Sequence, residues 1–185
     1  VAHEDFRGRV RESLEEFGSD LDLSRFDEFA DHILFAGGGF VKTDPGSLLD
    51  VIGEAEREVG EKPALIHYLA IPPSAFAQTT EAIAEHDLTE NAKAIYEKPY
   101  GTSTETFREL DELVHQVFDE KQVYRIDHFL GKEATQNLHL VRFANRLFGD
   151  AWSTEHLAQV QIDVPETLDI DDRAAFYDET GAALD

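Results

Sequence analysis

The sequence predicts an α/β fold in which a doubly wound parallel sheet, incomplete at its N-terminus, leads into the start of an α+β domain. Short apolar runs over 64–70, 92–96 and 122–126 alternate with amphipathic segments of helical length. Alternation of this kind is typical of parallel sheets whose strands are joined by helical crossovers. A charged segment follows the third run, at the edge of the sheet where such folds bind ligands.

The residues before the sheet are predicted to form helices. Apolar side chains recur at helical spacing over Phe6–Phe17, and Pro45 after Asp44 is predicted to start a second helix. The glycine run Gly37–Gly39 follows an apolar stretch, but Lys42 stands where the third glycine of a dinucleotide-binding turn is required. We therefore interpret this run as a connecting loop.

Strands and helices are predicted to alternate up to Ile126. The predicted strands are Ala64–Ala70, Ala92–Tyr96 and Gln122–Ile126, and the predicted helices are Ser74–His86 and Thr104–Glu120. Ligands bind beyond the carboxyl ends of the strands in such sheets. The segments Ile71–Pro73 and Glu97–Pro99, together with Asp127, are expected to lie at that edge.

The pattern changes near Asp127, where we place the domain boundary. A helix is predicted over Lys132–Phe148 with Gly149 as its cap, and a half-buried strand over His156–Val164 is expected to begin a second sheet. Residues 1–126 then form the first domain, and residues 127–185 form the start of the second. This boundary puts the charged segment at a domain interface, which is a favoured position for ligand sites.

The composition excludes several kinds of protein. A net charge of −23, from 39 acidic and 16 basic residues, makes nucleic acid and anionic membranes unsuitable partners. No stretch approaches the roughly 20 apolar residues that a bilayer-spanning helix needs. The absence of cysteine excludes disulfides and thiolate metal sites and fits a cytoplasmic enzyme. The histidines outside the charged segment share no metal-ligand spacing, and no metal site is predicted.

The segment Arg125–Glu133, with the sequence RIDHFLGKE, is the strongest functional signal. Lys132 supplies a permanent positive charge, His128 a donor near neutral pH, and Asp127 an acceptor able to orient an imidazole. Gly131 allows the backbone to pack closely against a ligand. The simpler interpretation is that Asp127 caps a helix whose charged residues are only solvated. The functional interpretation is a site for an anionic substrate.

Four segments carry a family resemblance. RIDHFLGKE resembles the active-site signature of the glucose-6-phosphate dehydrogenase family, and the following QNLHLVRFANRLFGDAW resembles the same family. Upstream, YLAIPPSAF (Tyr68–Phe76) and IYEKPYG (Ile95–Gly101) resemble its coenzyme-side segments, and RAAFYDETGAALD (Arg173–Asp185) resembles the opening of its substrate domain. The resemblance covers nearly the whole chain and is strongest from Tyr68 onward.

The resemblance implies a reaction and a domain organisation. The reaction is oxidation of C1 of β-D-glucose 6-phosphate to 6-phosphogluconolactone with hydride transfer to NADP, the first step of the oxidative pentose phosphate pathway. Residues 1–126 are then a partial NADP-binding Rossmann domain, and residues 127–185 begin the C-terminal substrate and dimerisation domain. The full-length enzyme is expected to be a cytoplasmic homodimer or homotetramer.

The resemblance also implies the site residues. Asp127 and Lys98 are the implied catalytic residues, with Asp127 as the dyad partner of a base histidine beyond residue 185. The Lys98–Pro99 peptide bond is expected to be cis, which would orient the lysine. Phe129 stands where many relatives have Tyr, which removes one phosphate donor. The substrate-binding residues are Lys98, His128, Lys132, Glu166 and Asp185, and the cofactor-binding residues are Lys98, Ala70, Pro72 and Pro73.

The chain is expected to be an internal piece of such an enzyme. Residues 1–36 contain no glycine-rich turn after an apolar strand, and the base histidine of the family is not reached. A dinucleotide-binding unit normally opens with that turn. We therefore expect the chain alone to be inactive, and turnover by it would contradict this expectation.

The acidic composition predicts adaptation to salt. A net charge of −23 would repel a phosphorylated sugar and a phosphorylated coenzyme unless local cations or salt overcame the field. The Debye length falls to about 3 Å at 1 M salt. We expect a halophilic source, and a steady fall of activity toward molar salt would contradict it.

Two other functions remain open on the sequence. An EKP segment after a strand also occurs in sugar oxidoreductases resembling glucose–fructose oxidoreductase, which act on unphosphorylated substrates. The other is a noncatalytic binding or regulatory descendant of the enzyme, which would lack the coenzyme turn and the base histidine through evolution and not through truncation. The choice between NADP and NAD also stays open, because the residues that discriminate them normally follow the first two strands.

Overall fold

A three-stranded parallel sheet forms the centre of the computed structural model, which describes residues 2–18, 21–60 and 62–163 together with Ala174, Tyr177 and Asp178. Its order is β1-β2-β3, and the strands are β1 (Leu65–Leu69), β2 (Ala92–Glu97) and β3 (Val123–Ile126). The register pairs Leu65 with Ala92 and Ala94 with Val123. The three predicted strands are confirmed to within one residue at each end.

Three helices precede the sheet. Helix α1 (His3–Phe17) matches the helix predicted from the spacing of its apolar residues. Helix α3 (Leu48–Val59) begins three residues later than predicted, because the Gly46 N–H donates to Asp44 Oδ1 at 2.9 Å in a turn before it. The short helix α2 (Phe26–Ala30) was not predicted.

The glycine run Gly37–Gly39 is hydrogen-bonded to the residue that precedes α3. The Ser47 N–H donates to the Gly37 carbonyl at 2.9 Å, and the Gly37 N–H donates to Ser47 Oγ at 2.8 Å. Gly46 has a φ of 58°, and a Cβ at this position would lie 2.4 Å from the Gly39 carbonyl oxygen. These contacts support the interpretation of the run as a connecting loop.

Two crossover helices cover one face of the sheet. Helix α4 (Phe76–Glu85) leads from β1 to β2 and helix α5 (Thr104–Val117) leads from β2 to β3. Their buried side chains form one core with alternate strand residues, including Phe76, Ile83, Val114, Leu69, Ala94, Tyr96 and Val123. On the other face Ile66 is 65% exposed. The described residues thus cover one side of the predicted doubly wound sheet.

Tyr96 places a hydroxyl group in the middle of this apolar core. Its side chain is fully buried, and its Oη lies 2.7 Å from Thr80 Oγ1. The Thr80 hydroxyl donates its one proton to the Phe76 carbonyl at 2.8 Å, so the phenol must be the donor in the pair. Burial raises the pKa of Tyr96, which keeps the phenol protonated and able to donate.

One prediction for the residues after the sheet is correct only in part, and another is wrong. The helix predicted over Lys132–Phe148 is divided into α6 (Glu133–His139), a π-helical segment (Leu140–Ala144) and α7 (Arg146–Gly149). Asn145 adopts an extended backbone, and its Oδ1 accepts from the Leu147 N–H at 3.1 Å, so its side chain competes with the helical hydrogen bonds.

The strand predicted over His156–Val164 is also absent from its described part, residues 156–163. A strand exists only where a second segment supplies hydrogen bonds, and no described segment pairs with this one. Ile162 is 82% exposed, so alternation of apolar residues did not lead to burial here. None of the helices in the described part of the chain has the length and apolar composition needed to cross a bilayer.

Replacing Gly46 by Ala is expected to lower the free energy of unfolding by about 2 kcal/mol or more, because the backbone is left-handed and the new Cβ would overlap carbonyl oxygens. Gly53 is the matched control, since a Cβ there meets no atom within 4 Å. Gly53→Ala in the middle of α3 should raise the free energy of unfolding by about 0.5–1 kcal/mol. Denaturant unfolding measures both free energies, and equal effects of the two substitutions would contradict the close packing of Gly46 against the glycine run.

Replacing Tyr96 by Phe is expected to lower the free energy of unfolding by about 1–2 kcal/mol, because one buried hydrogen bond is lost while the ring remains. Tyr68→Phe is the matched control, since the Tyr68 hydroxyl donates to Glu97 on the exposed face of the sheet. Its effect should stay within about 0.5 kcal/mol. If both variants unfolded at the same denaturant concentration as the wild type, the buried hydroxyl pair would contribute nothing.

Candidate functional site

Three loops lie at the carboxyl edge of the sheet. They follow β1 at Ala70–Pro73, β2 at Lys98–Gly101 and β3 at Asp127–Lys132. Parallel strands end on the same side of a sheet, so segments that are far apart in sequence become neighbours there. The structure therefore brings the predicted residues of all three loops to one edge.

Two clefts lie along this edge. One, of about 540 Å³, is lined by Lys98, Tyr100, Phe107 and Asp127 among others. The second, of about 620 Å³, is lined by Pro72, Pro73, Thr106 and Leu110 among others, and both clefts include Gly101 and Thr102. Clefts of a few hundred Å³ are large enough for small-molecule ligands. The two clefts therefore adjoin at Gly101 and Thr102, between the end of β1 and the end of β3.

The loop that carries Lys98 is fixed on the side of helix α5. The Lys98–Pro99 peptide bond is cis, as the sequence predicted, and Pro99 is buried. Gly101 has a φ of 101°, and a Cβ there would lie 2.6 Å from the Phe107 backbone nitrogen. Ser103 then caps α5, its Oγ accepting from the Thr106 N–H at 3.2 Å. The half-buried Lys98 thus extends from a loop with little space to move.

Asp127 closes a turn rather than capping a helix. Its Oδ1 accepts from the Phe129 N–H at 3.0 Å, and its carbonyl accepts from the Leu130 N–H at 3.1 Å. Helix α6 begins only at Glu133, with Lys132 at its N-cap. The simpler interpretation, in which Asp127 is a helix cap, is therefore wrong. Asp127 is exposed at the edge and lines the same cleft as Lys98.

The ring of Phe129 lies close to the three basic side chains of the site. The Lys132 Nζ lies 4.3 Å and the Lys98 Nζ 5.5 Å from the centre of its ring. The His128 ring is 4.3 Å away, centre to centre. Ammonium groups are attracted to the faces of aromatic rings. From the sequence, Phe129 is only the loss of a phosphate donor, whereas in the structure its ring is close to all three basic side chains.

Arg125 forms an ion network behind the site. Its guanidinium donates to Asp111 Oδ1 at 2.7 Å and to Glu120 Oε1 at 3.1 Å, and it lies 4.9 Å from the centre of the Tyr100 ring. His115 Nε2 is 2.7 Å from Glu120 Oε2. No sequence pattern points to this role of Arg125, because its acidic partners lie 5 and 14 residues away and only the fold brings them together.

The network shifts several pKa values. Hydrogen bonds from Arg125 and then His115 lower the pKa of Glu120. The hydrogen bond to the Asp111 carbonyl, followed by that to Glu120, raises the pKa of His115. Burial raises the pKa of Tyr100 to about 12, against the opposing charge of Arg125. Tyr100 is therefore a neutral aromatic side chain. The hydrogen bonds around it favour the charged forms of Glu120 and His115.

The remaining predicted residues have different positions. Ala70 and Pro72 are exposed at the end of β1, and Pro73 is half-buried beside the larger cleft. Glu166 and Asp185 lie outside the described residues. The described part of the predicted site is thus a basic cluster beside one carboxylate, with two adjoining clefts along the same edge.

Comparisons with known proteins identify the family. Residues 1–137 match the model described as "Glucose-6-phosphate dehydrogenase, NAD binding domain", and residues 139–185 match the model of the C-terminal domain of the same enzyme. A glucose-6-phosphate 1-dehydrogenase of Chlamydia muridarum is 30% identical over the whole chain and 38% of its own length. That of Rhizobium meliloti is 41% identical over 69% of the chain and 26% of its own length.

Solved structures agree with these relatives. The crystal structure of glucose-6-phosphate 1-dehydrogenase from Mycobacterium avium matches 100% of the chain and 40% of its own, with a TM-score of 0.76 and 33% identity. A glucose-6-phosphate dehydrogenase in complex with its substrate glucose-6-phosphate matches 84% of the chain and 33% of its own, with a TM-score of 0.67 and 34% identity. The chain spans about two fifths or less of the length of these proteins. It belongs to the glucose-6-phosphate dehydrogenase family.

Proposed function

We propose that the protein containing this chain oxidises C1 of β-D-glucose 6-phosphate to 6-phosphogluconolactone with NADP as the hydride acceptor. The observation that carries the proposal is the position of Lys98, His128 and Lys132 around Phe129, beside Asp127 at the carboxyl edge of the sheet. The names of the relatives support the activity, and one related structure is described as a complex with glucose-6-phosphate.

The sugar phosphate is held by His128 and Lys132. A phosphate dianion attracts ammonium and imidazolium donors strongly, because both charge and hydrogen bonding contribute. The chain as a whole carries a net charge of −23, so an anionic substrate is bound only where cations are concentrated. The Lys132 ammonium group and the His128 ring both contact the ring of Phe129, which adds no negative charge to the site.

The clefts at the ends of β1 and β2 hold the nicotinamide half of a dinucleotide in this proposal. Ala70, Pro72 and Pro73 at the end of β1 bind it together with Lys98 at the end of β2, in the place where open α/β sheets bind nucleotides. A bound nicotinamide coenzyme accepts the hydride that leaves C1 of the sugar. Lys98 lies in both proposed sites and orients the sugar toward the coenzyme. The preference for NADP over NAD is part of the proposal.

Asp127 acts on the proton of the C1 hydroxyl through a histidine. The family resemblance puts that base outside this chain, where Asp127 orients its imidazole and stabilises the imidazolium that forms. The carboxylate is suited to this role because the turn of residues 127–130 holds it at the mouth of the cleft. Glu166 and Asp185 are proposed to orient the sugar hydroxyls.

The remaining parts of the proposal concern the whole protein. It is a cytoplasmic homodimer or homotetramer from a salt-adapted organism, with a coenzyme domain up to residue 126 and a substrate domain that begins at residue 127. The net charge of −23 supports the salt adaptation. Light scattering of the purified full-length protein at low and high salt tests the assembly, and a monomer under both conditions would contradict it.

The substrate can be tested by following nicotinamide reduction with glucose 6-phosphate and with glucose, each with NADP and NAD, at low and molar salt. We expect turnover of the phosphorylated sugar with NADP, sustained or increased at high salt because screening weakens the acidic field. Turnover of glucose alone would favour a sugar oxidoreductase for unphosphorylated substrates. No turnover by the full-length protein under any condition would favour a noncatalytic descendant.

Replacing Asp127 by Asn in the full-length enzyme is expected to lower kcat by roughly 10²–10⁴-fold with a smaller effect on KM, because an amide does not stabilise an imidazolium. The Asn Oδ1 still accepts from the Phe129 N–H, so the turn is retained. Asp50→Asn, on the exposed side of α3, is the matched control and should leave both constants unchanged. A kcat for Asp127→Asn equal to that of the control would refute the assignment.

A further inference from the structure

Arg125 near the end of β3 contacts Tyr100 in the loop that carries Lys98. Tyr100 is two residues after Lys98, and Arg125 is two residues before Asp127. The guanidinium carbon lies 4.9 Å from the centre of the Tyr100 ring, so the two residues form a contact between the end of β2 and the end of β3. Tyr100 also lines the cleft that contains Lys98 and Asp127.

The Tyr100 ring is fixed from two sides. Its centre lies 5.3 Å from the Tyr96 ring at an interplanar angle of 82°, and 5.6 Å from the Phe107 ring at 68°. Such edge-to-face contacts restrict the orientation of a ring. Tyr96 is held in turn by its hydrogen bond with Thr80. Tyr100 therefore presents a rigid surface to the guanidinium.

Arg125 is fixed just as firmly. Its planar guanidinium bonds to Asp111 on α5 and to Glu120 in the 3₁₀ turn Glu120–Gln122, and its side chain is only 28% exposed. His115, on the other side of Glu120, adds a second basic group to the two carboxylates. The charges of the cluster balance when the histidine is protonated. The ammonium group of a lysine could not replace the guanidinium, because it is not planar and cannot bind two carboxylates through a rigid set of N–H donors.

The surroundings of the Tyr100 hydroxyl indicate that the ring makes most of this contact. The oxygen is buried without a hydrogen bond of good geometry to any described residue, and the nearby Arg125, by its charge and a poorly aligned N–H, only partly opposes the rise that burial causes in the pKa of Tyr100. A buried hydroxyl without a well-aligned partner is costly and adds little to the contact. Phenylalanine would therefore satisfy the same geometry.

We infer that Arg125, stacked on Tyr100, is a positioning residue that sets the distance between the Lys98 loop and the Asp127 loop. The inference deepens the proposed dehydrogenase function and depends on it for its effect on turnover. Neither residue is proposed to touch the substrate. The stacked pair keeps the two loops at one separation, and Asp111 and Glu120 hold the guanidinium in place behind them.

Four variants test the inference. Tyr100→Leu removes the aromatic ring, and Tyr100→Phe keeps the ring without the hydroxyl. Arg125→Lys keeps the positive charge but removes the planar guanidinium. Tyr124→Leu is the matched control, because Tyr124 is nearer to Asp127 in sequence but contacts Lys93 at 5.5 Å instead of Arg125. Two properties are measured: the amide chemical shift of Phe129 in this chain, and kcat and KM of the full-length enzyme well below its melting temperature.

We expect Tyr100→Leu to shift the Phe129 amide, which donates to Asp127, and to lower kcat by about tenfold or more with KM nearly unchanged. Arg125→Lys should act in the same direction, while Tyr100→Phe should match the wild type in both measurements. The control should change neither. A purely stabilising role would lower the melting temperature and leave kcat at lower temperature unaltered.

Several results would overturn the inference. One is a Phe129 amide that is unchanged in Tyr100→Leu, and another is an equal effect of Tyr124→Leu. Loss of turnover in Tyr100→Phe would show that the hydroxyl matters, which contradicts the ring contact. If Tyr100→Leu does not fold, Arg125→Lys decides by the same measurements. If the full-length protein turns over no sugar, the proposed function fails, and the amide shifts alone decide the positioning.

Discussion

The buried phenol of Tyr96 is the constraint on which the rest of the structure depends. Its hydrogen bond to Thr80 fixes one residue of the central strand against α4, and the ring packs at 5.5 Å against Phe76. Side chains alternate between the two faces of a strand, so an inward Tyr96 sets the direction of its neighbours. The chain then leaves the sheet with Lys98 at the edge and Tyr100 against Tyr96.

Basic residues are held in two different ways in this acidic chain. Arg125 is bound by two carboxylates, which suits a structural role because its charge is neutralised where it stands. Lys98 and Lys132 contact the ring of Phe129, which attracts cations but carries no net charge. The ring supports the Lys132 ammonium group without cancelling its positive potential, which suits a binding site for an anion.

The sequence predicted the positions of the strands better than it predicted side-chain contacts between separate elements. Apolar runs located β1, β2 and β3 because burial of a parallel strand leaves a direct pattern in the chain. Periodicity did not show that Asn145 interrupts the last helix, since that depends on a side-chain hydrogen bond. It also predicted a strand after His156, although a strand depends on a partner segment. The role of Phe129 and the network of Arg125 involve residues from separate elements, so no spacing rule could reveal them.

The parallel sheet also affects how the chain acquires its structure. Each strand pairs with the next one in sequence, and the paired residues are fewer than 30 positions apart. Pairing between consecutive strands loses less loop entropy before contacts form than pairing between distant strands would. Chains fold from the N-terminus as they are synthesised. The edge that carries Lys98 can therefore be in place on the ribosome before the segment that begins at Asp127 has emerged, so the site is assembled in order along the chain.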